Sequence, residues 1–209
     1  MRNEAAKNEQ RADPQGQFDE RDRTDMERLI SGHETALNDL MDRHAGKLFN
    51  YLIRCLQNEE DAADAAQESF VRVYRNRAKF DSTQRFSTWL YAIATNLVKD
   101  GYRWRSRHPQ VSLDAESEQN GDSFGENLPA RDPTPSEGLQ RAERAEAVRR
   151  AVAALPEELR QPLVLAEYEE RSHAAIGQIL GCSAKAVETR IYRARQQLRA
   201  SLGHLLETA

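Results

Sequence analysis

From Glu34 onward apolar residues return every three or four positions: Leu37, Leu40, Met41, His44, Leu48, Leu52 and Cys55. That spacing predicts a helix with one buried face, with His44 as an imidazole at the edge of the core. A second helix is predicted from about Glu59 to Arg77. Its first ten residues carry five acids, Glu59, Glu60, Asp61, Asp64 and Glu68, which suit the positive end of the helix dipole. The run KFDSTQR, residues 79–85, reads as a polar loop. Ser87 is then a plausible N-cap for a third helix that buries Leu90, Ile93, Ala94, Leu97 and Val98. Further along, Pro156 suits a helix start and Leu159, Leu163 and Leu165 supply its buried positions. Ser172 opens a short helix with Ala175, Ile176, Ile179 and Leu180, and Gly181 ends it. Ser183 caps a last helix whose stripe is Val187, Ile191, Ala194 and Leu198.

No stretch alternates with period two, so the expected fold is all-α. Residues 1–32 mix charges without periodicity and read as a disordered tail. Residues 109–137 hold four prolines and read as a flexible linker. Two small helical domains are therefore expected, at residues 33–108 and 138–209. Only eleven residues follow Leu198, too few for another domain.

Composition narrows the class. Charged residues make up 31% of the 209 residues, and the mean hydropathy is −0.81. No run of about 18 apolar residues is present to span a bilayer. The first residues lack the apolar core of a secretory signal. Cys55 and Cys182 are the only cysteines, too few for a disulfide framework and too isolated for a zinc site. A cytoplasmic protein that does not insert into membranes is expected.

The net charge of −4 argues at first against nucleic acid, but the charge is segregated. Residues 109–138 carry seven acids against Arg131, whereas residues 182–200 carry Lys185, Arg190, Arg193, Arg195 and Arg199 against Glu188. Arg103, Arg105 and Arg107 form a second basic cluster. Basic segments thus flank an acidic connector. No nucleophile elbow, phosphate-binding glycine loop or metal-ligand spacing is present. No catalysis, metal or cofactor is expected.

The last two helices match a helix-turn-helix unit, with the second helix placed for the major groove. Ser183, Lys185, Glu188, Thr189, Arg190, Tyr192 and Arg193 are its candidate DNA contacts. Most of these lie opposite the Val187–Ile191–Ala194 stripe. Phe86, Trp89 and Tyr91 cluster at the start of the third helix, and Tyr102 and Trp104 stand among arginines at its end. Rings interleaved with basic side chains suit single-stranded nucleic acid, although Trp89 and Phe86 serve equally well as core.

The runs DAADAAQESFVRVYRNRAKFD and FSTWLYAIATNLVKDGYR resemble region 2 of bacterial sigma factors of the extracytoplasmic-function (ECF) group. The run LPEELRQPLVLAEYEERSHAAIGQILGCSAKAVETRIYRARQQLR resembles their region 4, which implies that the helix beginning at Ser183 reads the −35 element as duplex. The resemblance implies a promoter-specificity subunit that binds core RNA polymerase through the β′ clamp helices and β flap. It places Asp61, Asp64, Gln67, Glu68 and Arg72 on the core-binding surface. It also implies capture of a flipped −10 base by the loop after the acidic helix, with Phe80 and Phe86 as pocket walls and Ser82, Thr83 and Arg85 as polar reach. Trp89, Tyr91, Asn96 and Lys99 fall on the strand-holding and melting helix. Promoter DNA, duplex and single-stranded, is the implied substrate, and an anti-sigma factor is a further partner the family admits.

Two departures stand out. Ala174 and Ala175 occupy a helix where the family commonly has an acid, and Glu188 stands where it commonly has a base. Glu188 leaves the fold intact and changes the expected −35 preference. Two rivals remain at this point: a helix-turn-helix regulator acting on duplex DNA alone, and a polymerase-binding adaptor.

Overall fold

The computed structural model describes residues 14–107 and 135–206. Eight α-helices occupy these residues: α1 (Pro14–Ile30), α2 (Ala36–Leu56), α3 (Glu59–Asn76), α4 (Phe86–Arg107), α5 (Pro135–Ala153), α6 (Glu157–Glu167), α7 (His173–Leu180) and α8 (Ala184–Leu206). A short 3₁₀ turn, Arg77–Lys79, follows α3. The described residues contain no strand, which agrees with the all-α expectation. Helices α2, α3 and α4 pack against one another, as do α6, α7 and α8.

The N-terminal tail is corrected. Within residues 1–32, α1 is an ordered helix that lies on α2 and reaches both α4 and the 3₁₀ turn. Met26 and Leu29 are fully buried. The same face carries Asp22 and Asp25, which are also buried and broke the apolar pattern. Their charges are satisfied. Arg43 bonds Asp22 at 2.9 Å and Asp25 at 2.6 Å, and His44 Nε2 lies 2.8 Å from Asp22. Paired and hydrogen-bonded carboxylates can be buried where lone ones cannot. His44 therefore has a partner at the core edge. The first thirteen residues lie outside the described ones, as does most of the 109–137 linker; its last three residues belong to α5.

Local signals explain the other helix ends. Asn58 caps α3 by accepting from the Asp61 backbone at 2.8 Å. Ser172 and Ser183 cap α7 and α8, accepting at 3.2 Å from Ala175 and Ala186. Gly181 ends α7 with φ +68°, the left-handed conformation that glycine adopts without a Cβ penalty. Helix α4 starts at Phe86, two residues earlier than a Ser87 cap implies, and Ser87 lies in its first turn rather than capping it.

Gly177 is required for another reason. A Cβ there would stand 2.7 Å from the Cys182 backbone carbonyl oxygen. The turn between α7 and α8 closes directly over this position. Gly177→Ala should force the two helices apart and cost about 1–3 kcal/mol. Thermal unfolding checks this, and an unchanged midpoint would contradict the packing.

The two helical units also pack on each other, α4 against α7 and α2 against α6. Arg160 is the main polar tie. The residue is only 8% exposed. Its guanidinium donates to Cys55 O at 2.7 Å, to Tyr102 Oη at 2.5 Å, to Leu155 O at 2.7 Å, and to Ala153 O. Arg171 donates to Ser87 Oγ at 3.0 Å and lies 5.0 Å from the centre of the Tyr91 ring. Tyr91 in turn donates to Glu169 at 2.5 Å.

Candidate nucleic-acid and polymerase interfaces

Helix α3 turns its acids away from the core. Ala62, Ser69, Phe70 and Val73 face inward, while Asp61, Asp64 and Gln67 are exposed and Glu68 and Arg72 half-buried. The face borders a groove whose far wall is Gly101, Trp104 and Arg105 of α4. Arg105 pairs with Asp61 at 3.4 Å, and Arg72 with Glu68 at 2.8 Å. Trp104 is 49% exposed and stands in this acidic groove. Of the two rings at this end of α4 that suit single-stranded nucleic acid by sequence, Tyr102 is turned inward. Tyr102 is half-buried and donates to Cys55 O at 2.5 Å beneath Arg160.

The loop after the 3₁₀ turn projects Ser82, Thr83 and Arg85 into solvent. Thr83 donates to Asp81 twice, from its backbone at 2.9 Å and its hydroxyl at 2.7 Å. These bonds hold the Asp81 carboxyl below its usual range. Behind the loop is an aromatic cluster. Phe80 lies 5.2 Å from Trp89 and 6.2 Å from Phe86, centre to centre. Phe80 and Trp89 keep part of their surface open. Phe86 is 2% exposed, so it supports the cluster from the core instead of lining an open pocket.

Trp89 and Asn96 are seven residues apart, two turns, and share a face of α4; Asn96 is exposed. Tyr91 lies on the other side, buried to 1% exposure against the C-terminal unit. Burial and the neighbouring Glu169 charge raise its phenol far above the ordinary value. In this arrangement Tyr91 cannot touch a DNA strand, contrary to its expected place among the strand-holding residues. Lys99 is half-buried and faces Glu157, whose carboxyl burial raises while the Lys99 charge opposes the rise. Cys55 is buried, and burial pushes its thiol up to about 12, which makes it an unreactive core residue.

On α8, Val187, Ile191 and Ala194 are buried. Ser183, Lys185, Glu188, Thr189, Tyr192 and Arg193 are exposed, and Arg190 is half-buried with Nη1 3.6 Å from Cys182 Sγ. Tyr192, 62% exposed, is a large ring presented to solvent between charged neighbours. Lys185 Nζ bonds Glu188 at 2.8 Å, and this bond lowers the Glu188 carboxyl from its usual value. Thr189 Oγ1 donates to Lys185 O at 2.9 Å. Sequence reasoning missed Asp19, Arg160, Glu169 and Arg171. Asp19 falls in the segment without apolar periodicity, and Arg160, Glu169 and Arg171 find partners in distant segments.

Comparison with known proteins agrees with this geometry. The Sigma-70 region 2 model matches residues 40–108, and the Sigma-70 region 4 model matches residues 145–198. The ECF RNA polymerase sigma factor SigW of Bacillus subtilis is 35% identical over 181 residues, covering 86% of this chain and 96% of that protein. The RNA polymerase sigma-H factor of Pseudomonas aeruginosa is 32% identical over 190 residues, covering 91% and 98%. Among solved structures, CnrH in complex with the cytosolic domain of CnrY aligns with TM-score 0.63 and 28% identity, covering 88% of this chain and 98% of that one. The sigma factor RpoE of Bartonella quintana, solved with the anti-sigma factor NepR, shares the fold with TM-score 0.60 at 20% identity, covering 79% of this chain and 96% of that one. Both regions match within one chain that aligns over most of the length of these relatives, and the chain belongs to the ECF RNA polymerase sigma factors of the sigma-70 family.

Proposed function

We propose that this chain binds core RNA polymerase through the α3 acidic face, captures the −10 element at the Phe80–Arg85 loop, and reads the −35 element with α8. It directs polymerase to specific promoters and promotes strand separation. The observation that carries the reading is the exposed loop backed by Phe80 and Trp89, one helix away from an exposed acidic face. A flipped base needs a partly open aromatic wall and polar groups at its rim, and both are present there. Asp61, Asp64, Gln67, Glu68 and Arg72 meet the β′ clamp helices, and the C-terminal unit meets the β flap. The work is binding and strand capture, without covalent chemistry or a cofactor, in the cytoplasm. An anti-sigma factor is a further partner class, as RpoE in its complex with NepR illustrates.

The packed arrangement is the form that precedes promoter binding. Elements centred about 25 base pairs apart lie ~85 Å apart at 3.4 Å per base pair. With α7 seated on α4 and α8 packed on α7, the two reading surfaces belong to one packed body, about 40 Å across for a chain of this size. Both elements are therefore read only after the units separate. Arg160 Nε, Arg171 Nε and Gln161 Oε1 are buried without hydrogen-bond partners. Such groups cost free energy, so the contact between the units is suited to opening.

Glu188 sets the −35 preference in this reading. A carboxylate accepts from the cytosine N4 amino group and cannot bond guanine O6 or N7. Its bond to Lys185 is on an exposed surface and worth little, so a base edge can compete for it. Transcripts selected from a randomised promoter library with core polymerase should share two spaced elements; transcripts independent of both would overturn the reading. Repeated with Glu188→Lys, the selection should shift the preferred base at one −35 position. Arg199→Ala should instead weaken all sequences alike and lower the salt slope by about 1 if Arg199 meets a phosphate. Identical preferred sequences would leave Glu188 as a surface partner of Lys185.

A further inference from the structure

We propose that Asp19 of α1 is a positioning residue for −10 recognition: it holds the Arg85 guanidinium in one orientation at the rim of the base-capture loop. The proposal rests on the assignment of that loop given above. Asp19 Oδ2 lies 2.9 Å from Arg85 Nε, with the Asp19 side chain 24% and the Arg85 side chain 54% exposed. The closest approach is made by Nε.

The helix that carries Asp19 is not free to follow Arg85. One turn on, Asp22 is 2% exposed at its side chain and is bonded by both Arg43 and His44. Asp25 pairs with Arg43 at 2.6 Å and Arg28 at 2.7 Å. Met26 and Leu29 complete the buried face. The His44 ring in turn lies 5.1 Å from the ring of Phe86, the residue directly after Arg85 in the chain. Helix α1 thus touches the loop from both ends, against the 3₁₀ turn before it and α4 after it. The loop's middle is fixed separately by Asp81 and Thr83. Arg85 is the long flexible side chain of the loop, and Asp19 restrains it.

That restraint matters because an arginine has two kinds of target on a single strand. Held in place, its planar fork meets one base edge in a bidentate geometry, which carries sequence information. Released, it follows the stronger charge to any phosphate, which carries none. Asp19 also offsets part of the Arg85 charge, which weakens the phosphate contact selectively. Loss of Asp19 should therefore lower base discrimination and raise affinity for single strands of arbitrary sequence. A purely structural role for the pair would lower both.

The test is selection from a library randomised in the −10 element, using holoenzyme assembled with wild-type chain, Asp19→Asn, Asp19→Glu or Arg85→Ala. Binding to a single-stranded oligonucleotide without a −10 sequence is measured in parallel. Asp19→Asn should reduce discrimination at one −10 position by about two- to fivefold, the range of an exposed ion pair, and tighten the non-specific strand. Asp19→Glu, which keeps the charge within reach, should restore the wild-type preference. If Arg85→Ala shifts the preference but Asp19→Asn does not, the positioning role is overturned while the loop assignment stands. If Arg85→Ala leaves the preference unchanged, the loop assignment itself fails. If Asp19→Asn loses specific and non-specific binding together, or lowers the unfolding midpoint without a change in preference, the pair is structural and the proposal is overturned.

Discussion

Replacing Arg160 by methionine should separate the two helical units. Methionine keeps much of the apolar stem but removes the donors that reach Cys55 O and Tyr102 Oη in one unit and Ala153 O and Leu155 O in the other. Losing the two charge-assisted bonds that cross between the units, to Cys55 O and Tyr102 Oη, should cost on the order of 3 kcal/mol, a shift of roughly a hundredfold in the balance between packed and separated forms. Small-angle scattering should report a larger radius of gyration for Arg160→Met than for the wild type. Glu169→Ala with Arg171→Ala, which removes only the Tyr91 and Ser87 contacts, should move it in the same direction by less. A lower unfolding midpoint with unchanged dimensions would show that Arg160 braces α6 rather than tying the units together. The separated variants should also bind −35 duplex more readily, since α8 would no longer be held beside α4.

Core polymerase binding should respond as strongly to the charge of α3. Asp64 makes no ion pair among the described residues, and Glu68 pairs only with Arg72, four residues on. Asp64→Lys with Glu68→Lys turns an acidic face basic and replaces the partner of Arg72 by a like charge. A charge-complementary contact turned repulsive typically costs a few kcal/mol, so affinity for core polymerase should fall about a hundredfold. The change is on the solvent side of α3, opposite Phe70 and Val73, so the helical circular dichroism signal should persist. Unchanged affinity in a folded variant would remove this face from the polymerase interface.

Much of the fold was legible because its helices obey simple rules. The α2 stripe, the Ser172 and Ser183 caps and the Gly181 break all act within one turn of the residue that signals them. The exposed face of α8 followed from the same periodicity. Helix α1 was not legible for a specific reason. Half of its buried face is made of carboxylates, and their burial is tolerable largely because Arg43 and His44, some twenty residues later, pair with them. Periodicity counts apolar residues and is blind to charges compensated from another element. Gly177 was missed for a related reason, since its constraint comes from the Cys182 carbonyl across the turn.

The candidate site divided along the same line. Asp64, Asn96 and Arg193 are exposed, as the periodicity of their helices implies. Residues near a unit boundary moved. Tyr91 was grouped with Trp89 because both are aromatic at the start of α4, but two positions on a helix turn a side chain to another face. That face meets α7, and Glu169 and Arg171 claim the phenol. Tyr102 was drawn inward in the same way by Cys55 and Arg160. A sequence pattern shows which faces are apolar or charged, and contacts between distant segments decide which of them reach solvent.

Permanganate footprinting of a cognate promoter tests the central claim most directly, because it reports unpaired thymines. Three mixtures are compared: core polymerase with this chain, core polymerase alone, and this chain alone. The account predicts reactive thymines in the −10 region only when polymerase and chain are together, with reactivity reduced by Asn96→Ala and restored on a pre-melted template. Protection of duplex DNA by the chain alone, with no reactive thymines when polymerase is added, would contradict it and identify a regulator that acts on closed DNA.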